Sequence, residues 1–501
     1  TPFCFFLSLP CSWSGRFTRA VLISSLLSPP LTPFNQASLM QNFYNATYFK
    51  RHGVYIGEQS LTLLWSLTVS MFPLGGFFGS LLVGPLVNTC GRKGTLLINN
   101  IFSIIPAILM GSSEVAKTYE VIIIMRIIIG ICAGLSSNVV PMYLGELAPK
   151  NLRGAVVVVP QLFITIGILT AQILGFRIIL GNPTGWPILL GLTGIPAALQ
   201  LLLLPFFPES PRYLLIQKED EEKAKEALKK LRGCDDVDDE MEEMRQEDQA
   251  EKAEGRLSVL NLFTSPTLRW QLISIIVMMA GQQLSGVNAV YYYADRIYAS
   301  TGLEDKYVQY VTAGTGAVNV IMTLVAVFIV ESLGRRLLLL LGFGICCGGC
   351  VLLTVGLALQ FTIPWMSYFS IACVIAYVIG HAIGASPIPS VMIAEMFLQS
   401  SRSAAFMVGG SVHWLSNFTV GLVFLYMEGL GPYSFLIFAA ICLVTFIFIF
   451  MVVPETKNKT FVEINKSMAK LNGVAIQVDK EELKDFTPYS KNEEAILNSA
   501  F

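Results

Sequence analysis

Long apolar runs dominate the chain, and they recur from about residue 61 to residue 453. Each run holds roughly the 20 residues that a helix needs to cross a hydrocarbon layer about 30 Å thick. The runs are continuous and rich in Leu and Ile, which favours helices over the alternating strands of a membrane barrel. The sequence therefore predicts eleven membrane-spanning helices, at 61–87, 95–112, 119–143, 155–175, 186–207, 271–299, 307–331, 337–360, 364–397, 404–427 and 433–453.

The composition fits a chain whose main solvent is lipid. Hydrophobic residues make up 53% of its 501 positions and charged residues only 14%, and a net charge of −1 gives no field for nucleic acid. The cysteines match neither a zinc site nor a disulfide framework. No nucleophile lies beside a base within a span. We therefore expect an all-α membrane protein that is not an enzyme and takes no metal, cofactor or nucleic acid.

Positive charge sets the expected orientation. Short loops with Lys and Arg alternate along the chain, on the same side as the charged segment 208–268, whereas loops 361–363 and 428–432 carry neither residue. Because positively charged loops stay in the cytoplasm, we expect this segment and the C-terminal tail there. Asn45 begins an Asn-X-Thr sequon on the opposite side, which predicts a glycosylation site.

Two parts of the chain repeat each other, because three short motifs return in the same order at nearly one offset. Such a repeat implies two six-helix bundles with a substrate site between them. The paired motifs are Gly91-Arg92-Lys93 with Gly334-Arg335-Arg336, Glu146 and Arg153 with Glu395 and Arg402, and Pro208-Glu209-Ser210 with Pro454-Glu455-Thr456.

The repeat also predicts the domain boundaries. A first span is needed before residue 61, but Arg16, Arg19 and several prolines make that segment costly in lipid, so we expect it to be altered or incomplete. Residues 218–252 read as charged amphipathic helix. The predicted units are an atypical segment 1–40, a first bundle 41–207, a cytoplasmic helical linker 208–268, a second bundle 269–453 and a cytoplasmic tail 454–501.

Uncharged amides inside apolar spans mark the expected substrate site. An amide both donates and accepts hydrogen bonds, as sugar hydroxyls do. A single intramembrane amide such as Asn319 more often joins two helices. Gln282, Gln283 and Asn288, however, lie on neighbouring turns that Gly281 and Gly286 allow to break, which favours ligand binding. Among the three tyrosines that follow, Tyr291 and Tyr292 are candidates for an outer gate.

Taken together, the ordered motifs resemble those of the sugar-porter branch of the major facilitator superfamily, from about residue 40 to about residue 470. The resemblance implies two bundles that rock about a central sugar site. It also implies a charged latch that stabilises the outward-facing state. The matching latch residues are Arg92, Glu146, Arg153, Glu331, Arg335, Glu395 and Arg402.

Finer features concern the sugar. Counting the span expected before residue 61 as the first, the stretch 364–397 is the tenth span. Glucose-selective members of the branch have a Gly-Pro-Gly-Pro-Ile-Pro-Trp run there, where this chain has Ser390 in place of the tryptophan. The chain resembles the fructose-transporting members instead, which implies roles for His381, His413 and Trp414. The predicted sugar contacts are Gln161, Gln282, Gln283, Asn288, Tyr291, Tyr292, Asn319, His381, His413 and Trp414.

These features predict facilitated diffusion of fructose across the plasma membrane by alternating access, by a protein that is monomeric in its bilayer. The resemblance implies the apical surface of absorptive epithelium. Three alternatives stay open: a proton-coupled hexose symporter, a glucose-selective facilitator, and a sugar sensor that signals through its tail.

Overall fold

The computed structural model describes most of the chain between residues 37 and 468. The described residues are 37–149, 153–254, 262–263, 266, 268–291, 298, 305–363, 365–397, 399–457, 459, 463–464 and 467–468. The predicted altered first span and most of the predicted tail therefore lie outside the described residues.

The first part of the chain forms eight helices within the described residues. A stretch of 3₁₀ helix, Leu204–Phe206, closes it. The helices are α1 (Ala37–His52), α2 (Glu58–Asn99), α3 (Ile101–Gly111), α4 (Ser113–Ala116), α5 (Glu120–Leu147), α6 (Arg153–Leu174), α7 (Trp186–Gly191) and α8 (Gly194–Leu203).

The linker contains two helices, α9 (Glu221–Arg232) and α10 (Asp238–Glu254), preceded by a π-helical turn at Tyr213–Gln217. The stretch 218–252, which the sequence predicts as charged amphipathic helix, is interrupted between α9 and α10. Residues 233–237 read Gly-Cys-Asp-Asp-Val, and these turn-forming residues end the first helix.

The second part of the chain repeats the helical pattern of the first. Two short irregular stretches interrupt it, a π-helical turn at His381–Ala385 and a 3₁₀ helix at Glu428–Tyr433. The helices are α11 (Arg269–Leu284), α12 (Asp305–Leu333), α13 (Arg335–Leu359), α14 (Met366–Gly380), α15 (Ile388–Met396), α16 (Gln399–Met427) and α17 (Ser434–Val452).

Nine helical stretches within the described residues are long and apolar enough to cross a membrane. One of them, Glu58–Gly111, is 54 residues long and contains two predicted spans, 61–87 and 95–112. Helix α16 coincides with the predicted span 404–427. Where the structure describes them, all eleven predicted spans therefore fall on helices.

The linker packs against the first bundle. Its helices share a small apolar cluster that includes Leu228 and Met241. From α9, the Arg232 side chain donates to the Leu147 carbonyl oxygen over 3.0 Å, at the C-terminal end of α5. A cation is favoured at this end of a helix because the last carbonyl groups there lack backbone donors. Arg232 thus fixes the linker to the end of a membrane helix.

The same sharp turn occurs on the linker side of both bundles. In the first bundle, Gly91 has φ 78° inside the α2 stretch, and the Glu209 carboxylate accepts the backbone N–H groups of Arg92 and Lys93 at 3.1 Å. Burial raises the pKa of the Glu209 carboxyl, and the N–H donors of Ser210 and Lys93 counteract that rise. The carboxylate therefore caps the helix segment that starts after Gly91.

The second bundle repeats this cap with Gly334 and Glu455. Gly334 has φ 91°, and Glu455 accepts the N–H groups of Arg335 at 2.9 Å and Arg336 at 3.1 Å. A Cβ atom on Gly334 would lie 2.7 Å from the Glu455 Oε2. Glycine is required in both turns because it tolerates the left-handed backbone and leaves room for the capping carboxylate.

We predict that Gly91→Ala destabilises the protein by at least about 1–2 kcal/mol, because the left-handed backbone disfavours a Cβ atom and the new methyl group would contact the Glu209 carboxylate. Thermal unfolding in detergent measures the effect. Gly348→Ala is the matched control, since a Cβ atom there meets no atom within 4 Å. Equal stability of the two variants would contradict the proposed role of the turn.

Candidate functional site

The predicted span 271–299 breaks near its middle, at the end of α11, as the glycines of this segment predict. The helix ends at Leu284, Gly286 takes φ 90°, and helical backbone resumes at 287–291. A Cβ atom on Gly286 would lie 2.5 Å from the Phe438 ring. The predicted break is thus confirmed at Gly286, whereas Gly281 remains inside α11, packed against Thr445.

Gln282 joins three helical segments at this break. Its Nε2 donates to the Ser386 carbonyl oxygen over 2.6 Å, between α14 and α15. Its Oε1 lies 3.0 Å from the Nδ1 of His413 on α16. A proton on this Nδ1 satisfies the contact and leaves the His413 Nε2 as an acceptor, 3.3 Å from the Gln283 Nε2. We refer to Gln282, Gln283, His381 and His413 as the polar cluster.

One acceptor of the polar cluster has no partner among the residues that the structure describes. The Gln283 Oε1 is buried and makes no hydrogen bond to them, while the residue as a whole is 7% exposed. A buried acceptor without a donor costs about 1–3 kcal/mol. A ligand hydroxyl group that donates to this oxygen would remove that cost.

His381 lies at the start of the π-helical turn, and its Nε2 lies 3.4 Å from the Gln282 carbonyl oxygen. The side chain is buried, so it contacts the backbone of the broken helix and not open solvent. The structure thus brings four of the sequence-predicted sugar contacts into one group.

Three further predicted contacts, Asn288, Asn319 and Tyr291, form hydrogen bonds between helices. Asn288 donates to the Oδ1 of Asn417 on α16 over 3.2 Å, and Asn319 on α12 donates to the Tyr291 hydroxyl over 2.9 Å. These are the helix-joining bonds that a single intramembrane amide favours. Their role as sugar contacts stays a prediction.

Trp414 connects the two bundles. Its indole Nε1 donates to the Ser137 Oγ on α5 over 3.2 Å, and its ring meets the Phe72 ring edge-on at a centroid distance of 5.6 Å. The ring also lies where a Cβ atom on Gly76 would be. The sequence did not predict the contact with Ser137. Small residues such as Gly76 on α2 were the available signal that α16 approaches the first bundle closely.

Two predicted sugar contacts are not brought into the polar cluster. Gln161 lies half-buried on α6, and its amide makes no hydrogen bond to any residue that the structure describes. Tyr292 lies outside the described residues.

The predicted latch residues form a linker-side network that includes an ion pair within each bundle. Arg92 contacts Glu146 at 2.9 Å with both side chains fully buried, and Ser210 donates to the same carboxylate. The second bundle repeats this arrangement. There the Arg335 guanidinium lies 2.7 Å from Glu395, and the Thr456 Oγ1 donates to the Glu395 Oε2 over 2.6 Å.

Glu331 connects the two bundles in this network. Its Oε2 pairs with the Arg335 Nη1 at 3.0 Å, and its Oε1 accepts the Ala155 N–H of the other bundle at 3.1 Å. The bond to Ala155 satisfies an unpaired donor in the first turn of α6, where negative charge is favoured. One contact of the predicted latch therefore crosses between the bundles at the N-terminus of α6.

The remaining latch residues, Arg153 and Arg402, belong to the linker side, whereas the sequon lies at the opposite end of the bundles. Arg153 is the first residue of α6, and Arg402 on α16 donates to the Phe397 carbonyl oxygen over 3.2 Å. At the opposite end, the Asn45 side-chain oxygen accepts the Ile56 N–H at 2.9 Å. Glycosylation of Asn45 stays a prediction.

Known proteins resemble this chain over nearly its whole length. A family model described as "Sugar (and other) transporter" matches residues 34–468. The human "Solute carrier family 2, facilitated glucose transporter member 5" is 66% identical over 491 residues, which cover 96% of this chain and 98% of that protein. Human member 7 of the same family is 60% identical over 476 residues, which cover 95% and 92%.

A solved structure shows the same fold at lower identity. The proton:xylose symporter XylE bound to 6-bromo-6-deoxy-D-glucose is 24% identical and superposes with a TM-score of 0.78, over 91% of this chain and 99% of that one. XylE is a transporter of E. coli and of the major facilitator superfamily. The chain therefore belongs to the sugar transporter family, as an all-α, multi-pass membrane protein of the major facilitator fold.

Proposed function

We propose that the protein carries fructose down its gradient by facilitated diffusion. The observation that carries the proposal is the buried Oε1 of Gln283, which has no partner in the described part of the chain and lies next to the donors and acceptors of Gln282 and His413. Sugar hydroxyl groups both donate and accept, so they suit such a mixed set of amides and imidazoles. Sugar is the substrate class of the family to which the chain belongs.

Three positions favour fructose over glucose. Ser390 replaces the tryptophan that glucose-selective members carry, and His381 and His413 supply imidazoles at the broken helices. The relatives are named facilitated glucose transporters, and those names alone do not choose between the two hexoses. The choice of fructose therefore rests on these three side chains and on the resemblance of the tenth and eleventh spans.

Transport proceeds by alternating access of the bundles 41–207 and 269–453 about the polar cluster. The bond between Glu331 and Ala155 supports a state in which the linker side is closed. Tyr291 and Tyr292 are the proposed gate at the other side. The linker and tail face the cytoplasm of a monomeric plasma-membrane protein, which we assign to the apical surface of absorptive cells.

The first experiment measures uptake of labelled fructose and labelled glucose by proteoliposomes without any ion gradient. We expect fructose to enter at least about tenfold faster than glucose, which corresponds to 1.4 kcal/mol of discrimination. Equal entry of both hexoses would contradict the assignment to fructose. Entry that requires an imposed proton gradient would identify a symporter instead.

Replacing the unpartnered amide tests the site itself. We expect Gln283→Leu to lower fructose uptake by at least about fivefold at unchanged surface expression, because a bond to the sugar worth about 1–3 kcal/mol is lost. Gln200→Leu is the matched control, since Gln200 is also a buried amide with no partner among the described residues but lies on α8. Similar uptake by both variants would exclude Gln283 as a sugar contact.

The latch is tested through a thiol placed between the bundles. Met407 on α16 is buried with its sulfur facing Gly84 on α2, so we use Met407→Cys in a chain with serine at the exposed Cys90 and Cys234. We expect Glu331→Leu to speed labelling from the linker side by at least about fivefold, because a charged hydrogen bond worth about 1.5–3 kcal/mol is lost.

Glu331→Gln separates the two contacts of this side chain. Glutamine keeps an oxygen for the Ala155 N–H but removes the charge that pairs with Arg335. We expect labelling at a rate between those of the parent and of Glu331→Leu. Labelling of both variants at the parental rate would show that Glu331 does not hold the bundles together.

A further inference from the structure

The break in α11 leaves backbone carbonyl groups that lose their helical partners inside the membrane. Such groups have no water to bond, so each needs a donor from the protein. The Gln282 carbonyl oxygen is 2.8 Å from the Ser285 Oγ and 3.4 Å from the His381 Nε2. The Ser285 carbonyl oxygen accepts the hydroxyl group of Tyr377 at 3.0 Å. Two residues of the tenth span, four positions apart, therefore support the break in α11.

Tyr377 is itself held rigidly. Its side chain is completely buried, and its ring is nearly parallel to that of His381, at an interplanar angle of 15° and a centroid distance of 6.1 Å. Its backbone packs closely against α13, where a Cβ atom on Gly349 would lie 3.3 Å from the Tyr377 Cβ. A hydroxyl group fixed in this way sets where Ser285 lies.

The contact is reciprocal between the two broken helices. While Tyr377 and His381 bond the backbone of α11, the Gln282 side chain bonds the Ser386 carbonyl oxygen next to the π-helical turn of the tenth span. Each break thus supplies a donor that the other requires. Movement of one segment changes the hydrogen bonds of the other.

We propose that Tyr377 is a positioning residue: its hydroxyl group fixes the break of α11 and thereby the placement of Gln282 and Gln283 toward the sugar. The inference rests on the proposed function, because it treats these amides as the sugar contacts. Tyr377 does not touch the sugar itself. Its role is to couple the breaks of the seventh and tenth spans.

The test is Tyr377→Phe, which removes the hydroxyl group and keeps the ring. Loss of one hydrogen bond changes an equilibrium by about three- to tenfold. We expect the KM for fructose to rise by that factor, with the maximal rate per surface molecule changed less than about twofold. Tyr44→Phe is the matched control, since Tyr44 is also fully buried and its hydroxyl group bonds Thr68 at 3.2 Å in the first bundle.

An unchanged KM, or a fall in maximal rate and surface expression alone, would overturn the proposal. If Tyr377→Phe does not reach the surface, Ser285→Ala decides, because it removes the hydroxyl group that lies 3.0 Å from the Tyr377 hydroxyl. We expect Ser285→Ala to raise the KM in the same direction, and an unchanged KM would overturn the proposal.

A substrate-free measurement keeps this proposal separate from the proposed function. We expect amide hydrogen exchange over residues 284–291 to be at least about threefold faster in Tyr377→Phe than in the parent, and unchanged in Tyr44→Phe. Faster exchange in a protein that carries no hexose would support the positioning role and reject the transport assignment. Unchanged exchange would reject the positioning role whatever the protein carries.

Discussion

Inside a bilayer, every polar group must find its partner within the protein, and this constraint shapes the whole structure. Helices satisfy it for most of the backbone. Among the described residues, the break at Gly286, the turn at Gly91 and its counterpart at Gly334 depart from the helix, and each has dedicated partners. Several buried side-chain atoms have no partner in this described part of the chain. One of them, the Gln283 Oε1, lies in the polar cluster and gives the structure a place for a polar ligand.

The internal repeat explains why the linker-side network is so regular, and an asymmetry in the repeat adds a contact between the bundles. Each bundle buries an arginine against a glutamate and caps a helix with a second carboxylate. Glu331, however, has Asn88 as its counterpart in the first bundle, and Asn88 is exposed. A charged contact from the second bundle to the start of α6 therefore has no equivalent at Asn88.

Much of this arrangement could be predicted from the sequence, because apolar runs and repeated motifs are local signals. The eleven spans, the break at Gly286 and the position of both Gln282 and Gln283 beside this break follow from such signals. The hydrogen bond from the Ala155 N–H to Glu331 could not be predicted, because every residue except proline has a backbone N–H group and the sequence does not show which of them is free to bond. Tyr377 was missed for a related reason: one hydroxyl group in an apolar span looks like ordinary packing.

The hydrogen bonds that couple the breaks of the seventh and tenth spans suggest how sugar binding can move these helices. Gln282 uses its side chain to bond the tenth span and its backbone to accept from the same span. A sugar that draws hydrogen bonds from this amide competes with the Ser386 carbonyl oxygen for its donor. Occupation of the site therefore changes the bonds that hold both broken helices, and only a ligand whose affinity differs between the two states shifts their populations. In this chain, the groups proposed to recognise the sugar are the same groups that hold the helices in place.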